Sequence, residues 1–104
     1  MAFDGTEGEI VTLLEGQEWT KKYRSVVHPG DITGHFFGIE KLNAILNQSG
    51  CKGIRIYYGM EPDGTKNLVL VGADRNENDM ENGIILEKSV CCPPRCGWPS
   101  KLNS

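Results

Sequence analysis

What this chain lacks narrows it first. No stretch approaches the ~20 consecutive apolar residues that a membrane-spanning helix needs, so no membrane span is expected. Neither sign of charge dominates: 11 Lys and Arg stand against 14 Asp and Glu, for a net charge of −3. That balance withholds the basic patch that a phosphate backbone rewards, so nucleic acid is not expected as a partner. The one basic cluster, Lys21, Lys22 and Arg24, is offset by Glu15 and Glu18 and reads as a solvated helix face. There is no glycine-flanked nucleophile elbow, no phosphate-cradling loop and no HExxH, so no catalytic signature is present. The first nine residues are acidic, without a positively charged lead into an apolar segment. This predicts a cytoplasmic product as synthesised, with export by a route that reads no N-terminal signal still compatible.

At 104 residues the chain falls at common domain size, and a single α+β domain is expected, with its core over about 10–90 and an irregular Pro/Cys tail over 91–104. Its organising stretch runs from Cys51 to Leu86. Three short runs, Ile54 to Tyr58, Leu68 to Val71 and Ile84 to Leu86, are rich in β-branched and aromatic residues and separated by polar turns. They predict a three- to four-stranded antiparallel meander, with the aromatic segment 31–38 reading either as an extended segment or as a first edge strand. Alternation places Ile54, Ile56 and Tyr58 on a buried face and Arg55 and Tyr57 on a wetter one. Leu68 to Val71 has no polar interruption, as befits a central strand.

Two helices are expected to pack on one face of this sheet. Trp19, Tyr23, Val26 and Val27 trace one face of a helix over about 17–28, ended by Pro29-Gly30. Ile39, Leu42, Ile45 and Leu46 trace another over 39–48, with Gly50 placed for a left-handed C-terminal residue. Ahead of them, Thr6-x-x-Glu9 has the form of a capping box, although Ile10 to Leu14 suits a strand equally well.

The candidate sites are few. Cys91, Cys92 and Cys96 lie within six residues and could share a zinc ion with His28, His35 or Cys51. The same spacing also suits a local disulfide such as Cys92 with Cys96, or simply free thiols, which a reducing compartment favours. Cys51 with His28 or His35 and an acid such as Asp31 offers a Cys-His pair on paper, but Cys51 follows a helix end and is poorly placed for thiolate activation. Asp74 to Asp79 imitates the oxygen-rich start of a calcium loop. Asp79 occupies the position of the required glycine and Ile85 that of the bidentate Glu, so the segment reads as a polar hairpin connection. Arg55, Tyr57 and Trp98 are the residue types that supply contact energy at protein interfaces, and they are the candidate partner surface.

The runs Ile45-Leu46-Asn47-Gln48-x-Gly50-Cys51-x-Gly53-Ile54-Arg55-Ile56-Tyr57-Tyr58-Gly59, Leu68-Val69-Leu70-Val71-Gly72-x-Asp74 and Cys92-Pro93-Pro94-x-Cys96 resemble a family of small uncharacterised bacterial proteins. The resemblance covers roughly residues 39–97, implies that Cys51, Cys92 and Cys96 belong to a shared framework, and implies no activity. The functional expectation is a small non-enzymatic module with a protein partner and no cofactor. Two other expectations stand beside it: a small effector or toxin carried by a bacterial secretion or contractile injection system, and a zinc-stabilised domain.

Overall fold

The computed structural model describes residues 2–104 and shows an α+β chain with helices α1 (Leu13–Val26) and α2 (Ile39–Leu46) and five strands. The strands are β1 (Gly34–Phe36), β2 (Cys51–Met60), β3 (Lys66–Asp74), β4 (Ile85–Leu86) and β5 (Val90–Cys92). The chain divides into two compact units: one holds residues 2–7 and 37–89, the other 8–36 and 90–104.

The first unit is the expected meander. β2, β3 and β4 form an antiparallel sheet in that order, with Ile56 opposite Leu70, Tyr57 opposite Val69 and Leu70 opposite Leu86. β3 is central, and its Leu70 and Val71 are buried although they point to opposite faces, as an uninterrupted apolar strand requires. Helix α2 lies against β2 and β3 and contributes Ile45, which is 0% exposed. The helix ends at Leu46, two residues short of the expected 48, with Asn47 as its C-terminal cap, and Gly50 takes φ +85 in the turn that follows, a conformation that costs a residue with a Cβ. Gln48 then ties the helix to the far strand: its Nε2 donates to Ile45 O at 3.0 Å and its Oε1 accepts from Ile84 N at 2.8 Å. The 74–79 connection is the polar turn expected of it. Asp74 Oδ1 accepts from the main-chain N of Asn76 and Asn78, at 2.9 and 3.0 Å.

Alternation along β2 is only half obeyed. Ile54 is half-buried, but Ile56 is 54% and Tyr58 94% exposed, so the apolar face runs past the end of what α2 covers. An eight-residue helix rises only ~12 Å, short of the ~33 Å span of a ten-residue strand.

In the second unit α1 begins four residues before the expected start. Its capping box is Thr12 with Glu15, the Thr12 hydroxyl accepting from Glu15 N at 3.1 Å and Glu15 Oε1 accepting from Thr12 N at 3.2 Å. Thr6 instead bonds Asp4, with main-chain N to Oδ1 at 2.9 Å, so no helix starts there. The Trp19, Tyr23 and Val26 face of α1 stays exposed. Near the helix end, Arg24 donates to the main-chain oxygens of Leu102 and Ser104, at 2.6 and 2.8 Å.

Of the two readings of segment 31–38, the edge strand of the meander is not the one observed. β1 pairs with β5 as an antiparallel ribbon, with Gly34 opposite Cys92, His35 opposite Cys91 and Phe36 opposite Val90. The tail is therefore not irregular from residue 91; its first residues are strand, and Pro93 and Pro94, which lack N–H donors, end it.

Candidate functional site

The site with the most defined geometry lies on β2 in the first unit. Arg55 and Tyr57 are two residues apart on an extended strand, so their side chains leave the same face of the sheet. Both end on one carboxylate. Arg55 Nη1 donates to Asp79 Oδ1 at 2.5 Å, and Tyr57 Oη donates to Asp79 Oδ2 at 2.5 Å. Arg55 Nη1 also donates to Glu77 O at 3.1 Å. Asp79 is brought there by the Asp74 turn and by a bridge that pairs it with Ala73, and Glu77 takes φ 70 within that turn. On the other side of the guanidinium, the Phe3 ring centroid stands 5.5 Å from Arg55 Cζ. Phe3 is itself held by its N–H donating to Arg75 O at 2.9 Å.

The electrostatics follow the contacts. The Tyr57 hydroxyl, with Arg55 second, holds the Asp79 carboxyl below its ordinary range. The bond to Asp79 raises the Tyr57 phenol and the Arg55 guanidinium above theirs. A phenol kept protonated and a carboxylate with both oxygens engaged are poor proton carriers at neutral pH. The cluster fixes the orientation of an Arg and a Tyr on one face of β2. Beside it a cleft of about 480 Å³ is lined by Phe3, Glu7, Leu46, Lys52, Ile54 and Arg55.

The other candidates fall elsewhere. Trp98 belongs to the second unit, where its indole is 91% exposed and its main-chain oxygen accepts from Asn103 Nδ2 at 3.2 Å. Cys51 is in the first unit, its thiol donating to Gly53 O at 3.2 Å, whereas His28, Asp31 and His35 are in the second. Among the zinc candidates, Cys92 and Cys96 are joined as a disulfide and His35 stands across the ribbon from Cys91. Among the described residues no group of three or more His, Cys, Asp or Glu is placed to hold a metal ion.

Sequence reasoning placed Arg55 and Tyr57 on a common face but missed Asp79 and Phe3. The available signal was an arginine inside an apolar strand, which demands a nearby carboxylate, and the acidic 74–79 turn that follows the neighbouring strand. Compared with known proteins, the chain matches no family model, no curated protein and no solved structure.

Proposed function

We propose that this chain is a small protein-interaction module whose sheet receives an extended segment of a partner protein along the outer edge of β2. The observation that carries the proposal is the state of that edge. β2 is ten residues long and, among the described residues, pairs with β3 alone, so that one side of its backbone has no neighbouring strand there. Soluble proteins blunt such edges with proline, lysine, bulges or very short strands. Here the bulge between Cys51 and Gly53 and the single Lys52 lie at one end, and Ile54 to Met60 carries none of these devices. Ile56, Tyr58 and Met60 stand exposed along it.

Strand addition draws its affinity from main-chain hydrogen bonds and its specificity from pockets for alternate side chains. The cleft beside Arg55 is such a pocket, and the Asp79 cluster holds its wall in place before any partner arrives, which lowers the ordering cost of binding. Arg55 is already neutralised by Asp79, so the partner segment is expected to be apolar at alternate positions.

A displayed library of random peptides panned against the protein tests this. The expected result is enrichment of alternating apolar sequences that shift the amide resonances of residues 54–60, with binding lost in Tyr58→Lys and Ile56→Lys. Absence of enrichment, or shifts confined to the second unit, would remove the proposal; so would turnover of substrate in a broad hydrolase panel.

A further inference from the structure

Three of the four cysteines, Cys91, Cys92 and Cys96, lie on or beside the β1–β5 ribbon of the second unit. Cys92 and Cys96 form a disulfide across four residues of sequence, with Cα atoms 4.7 Å apart. Cys91 precedes them on β5, and because side chains alternate along a strand it faces the other way, opposite His35. Both half-cystines are only half-buried. The residue paired with Cys92 is Gly34, which has no side chain to shield it; a Cβ built there would stand 3.6 Å from Cys92 Cβ. Cys96 borders an open cleft of about 310 Å³, lined also by His28, Pro29, Asp31, Pro93 and Asn103.

The surroundings of the bridge are also tied by hydrogen bonds. Thr33 N donates to Cys92 O at 2.8 Å, Arg95 N to Cys91 O at 3.0 Å and Asn103 Nδ2 to Cys96 O at 3.0 Å, all without the sulfur atoms. A cross-link over so few residues also restricts the unfolded chain less than a long-range one. Its chemistry is thus better developed than its value as a staple.

We infer that Cys92–Cys96 is a thiol–disulfide exchange site, with Cys96 the sulfur attacked and a thiolate as co-reactant. A thiolate entering the cleft forms a bond to Cys96 Sγ while the Cys92–Cys96 bond breaks. The electron pair leaves on Cys92 Sγ, which takes up a proton from water. A second thiolate, from another monothiol or from the other arm of a dithiol, then attacks the co-reactant's sulfur in the mixed disulfide and releases Cys96 as its thiolate. Two thiols become one disulfide, and the chain gains the two electrons. The ribbon and the Asn103 clamp persist through the cycle, since their hydrogen bonds are main-chain or amide.

The test is native-state reduction of the full oxidised chain, using glutathione as the monothiol probe and a reduced Cys-x-x-Cys peptide as the dithiol probe. Reactions are quenched by alkylation and read by intact mass and peptide mapping. With at least one probe the rate without denaturant is expected to lie within about tenfold of that for the oxidised peptide Cys-Pro-Pro-Arg-Cys. In Cys92→Ser, oxidised glutathione is expected to add at Cys96 in preference to Cys51 or Cys91. The amide resonances of β1 and β5 are expected to survive reduction of the wild-type chain. Rates more than about a hundredfold below the peptide's with both probes, rising only as urea unfolds the chain, overturn the inference. An adduct spread evenly over the remaining cysteines, or loss of the ribbon on reduction, overturns it as well. The wild-type rates stand alone should Cys92→Ser fail to fold.

Discussion

Ile45 is the residue on which the first unit most depends. It is 0% exposed and is the helix's contribution to the buried hydrophobics, which among the described residues also include Leu70, Val71 and Ala73. Ile45→Ala removes three buried carbons, a transfer loss of about 2.4 kcal/mol at ~0.8 kcal/mol each. The cavity left behind brings the cost to about 3 kcal/mol. Single domains of this size are stable by only about 5–15 kcal/mol, so the loss is a large part of the total, and a fall in Tm of about 15 °C is expected. Urea denaturation gives the free energy, and hydrogen exchange at the amides of Leu70 and Val71 shows that the loss falls on the strands beneath the helix. Ile39→Ala on the same helix is the control, since Ile39 is 77% exposed and should cost under about 0.5 kcal/mol. If Ile45→Ala costs less than about 1 kcal/mol, or no more than Ile39→Ala, then α2 is not packed as described and the reasoning fails.

Acid should act on the β2 cluster in a defined direction. The Asp79 carboxyl is held below its ordinary value of 3.8, chiefly by the Tyr57 hydroxyl and then by Arg55. Its contribution is thus complete above that ordinary value and lost as pH falls through the depressed one. Asp79→Asn should flatten this acid limb of the stability curve and return the Tyr57 phenol towards its usual titration, read by ultraviolet absorbance; an unmoved phenol would refute the assignment. At the helix–strand tie, a Cβ on Gly83 would collide with Gln48 Oε1 and break its bond from Ile84 N. Gly83→Ala is expected to cost about 1–2 kcal/mol in urea denaturation. Gly53→Ala, with nothing within 4 Å of its added carbon, should change little, and the reverse order would count against the tie.

The parts of the fold legible from sequence are those written in local periodicity. Ile39, Leu42, Ile45 and Leu46 announce α2 because four positions at helical spacing suffice to do so, whereas its end falls at Leu46 with Asn47 as cap, ahead of the turn that holds Gly50. β3 is legible because only a strand covered on both faces reads as unbroken Leu-Val-Leu-Val. The start of α1 is not, because Thr6-x-x-Glu9 and Thr12-x-x-Glu15 have the same form. What separates them is that Asp4 captures Thr6, a competition that spacing does not reveal. The ribbon of β1 and β5 was hidden for a different reason. Its partners lie 54 to 58 residues apart, from Phe36 with Val90 to Gly34 with Cys92, and the prolines after Cys92 obscure a three-residue strand. At the β2 site, alternation is enough to put Arg55 and Tyr57 side by side. The arrival of Asp79 depends on where a turn brings the chain back, and the exposure of Tyr58 depends on where α2 stops.

The same ribbon sets an order of events during synthesis. Phe36 and Val90 are paired, so everything from 37 to 89 leaves the second unit and returns to it at one rung of a ladder. A ribosome delivers β1 early, but β1 has no partner until those intervening residues have been made. The first unit has its strands in hand well before that moment, lacking nothing that comes later than residue 89. Once it folds, the loop that β1 and β5 must close is no longer a flexible chain, and part of its entropic cost has already been met. The cysteines of β5 are translated after every residue of the first unit, so the disulfide forms on a chain whose meander is already complete.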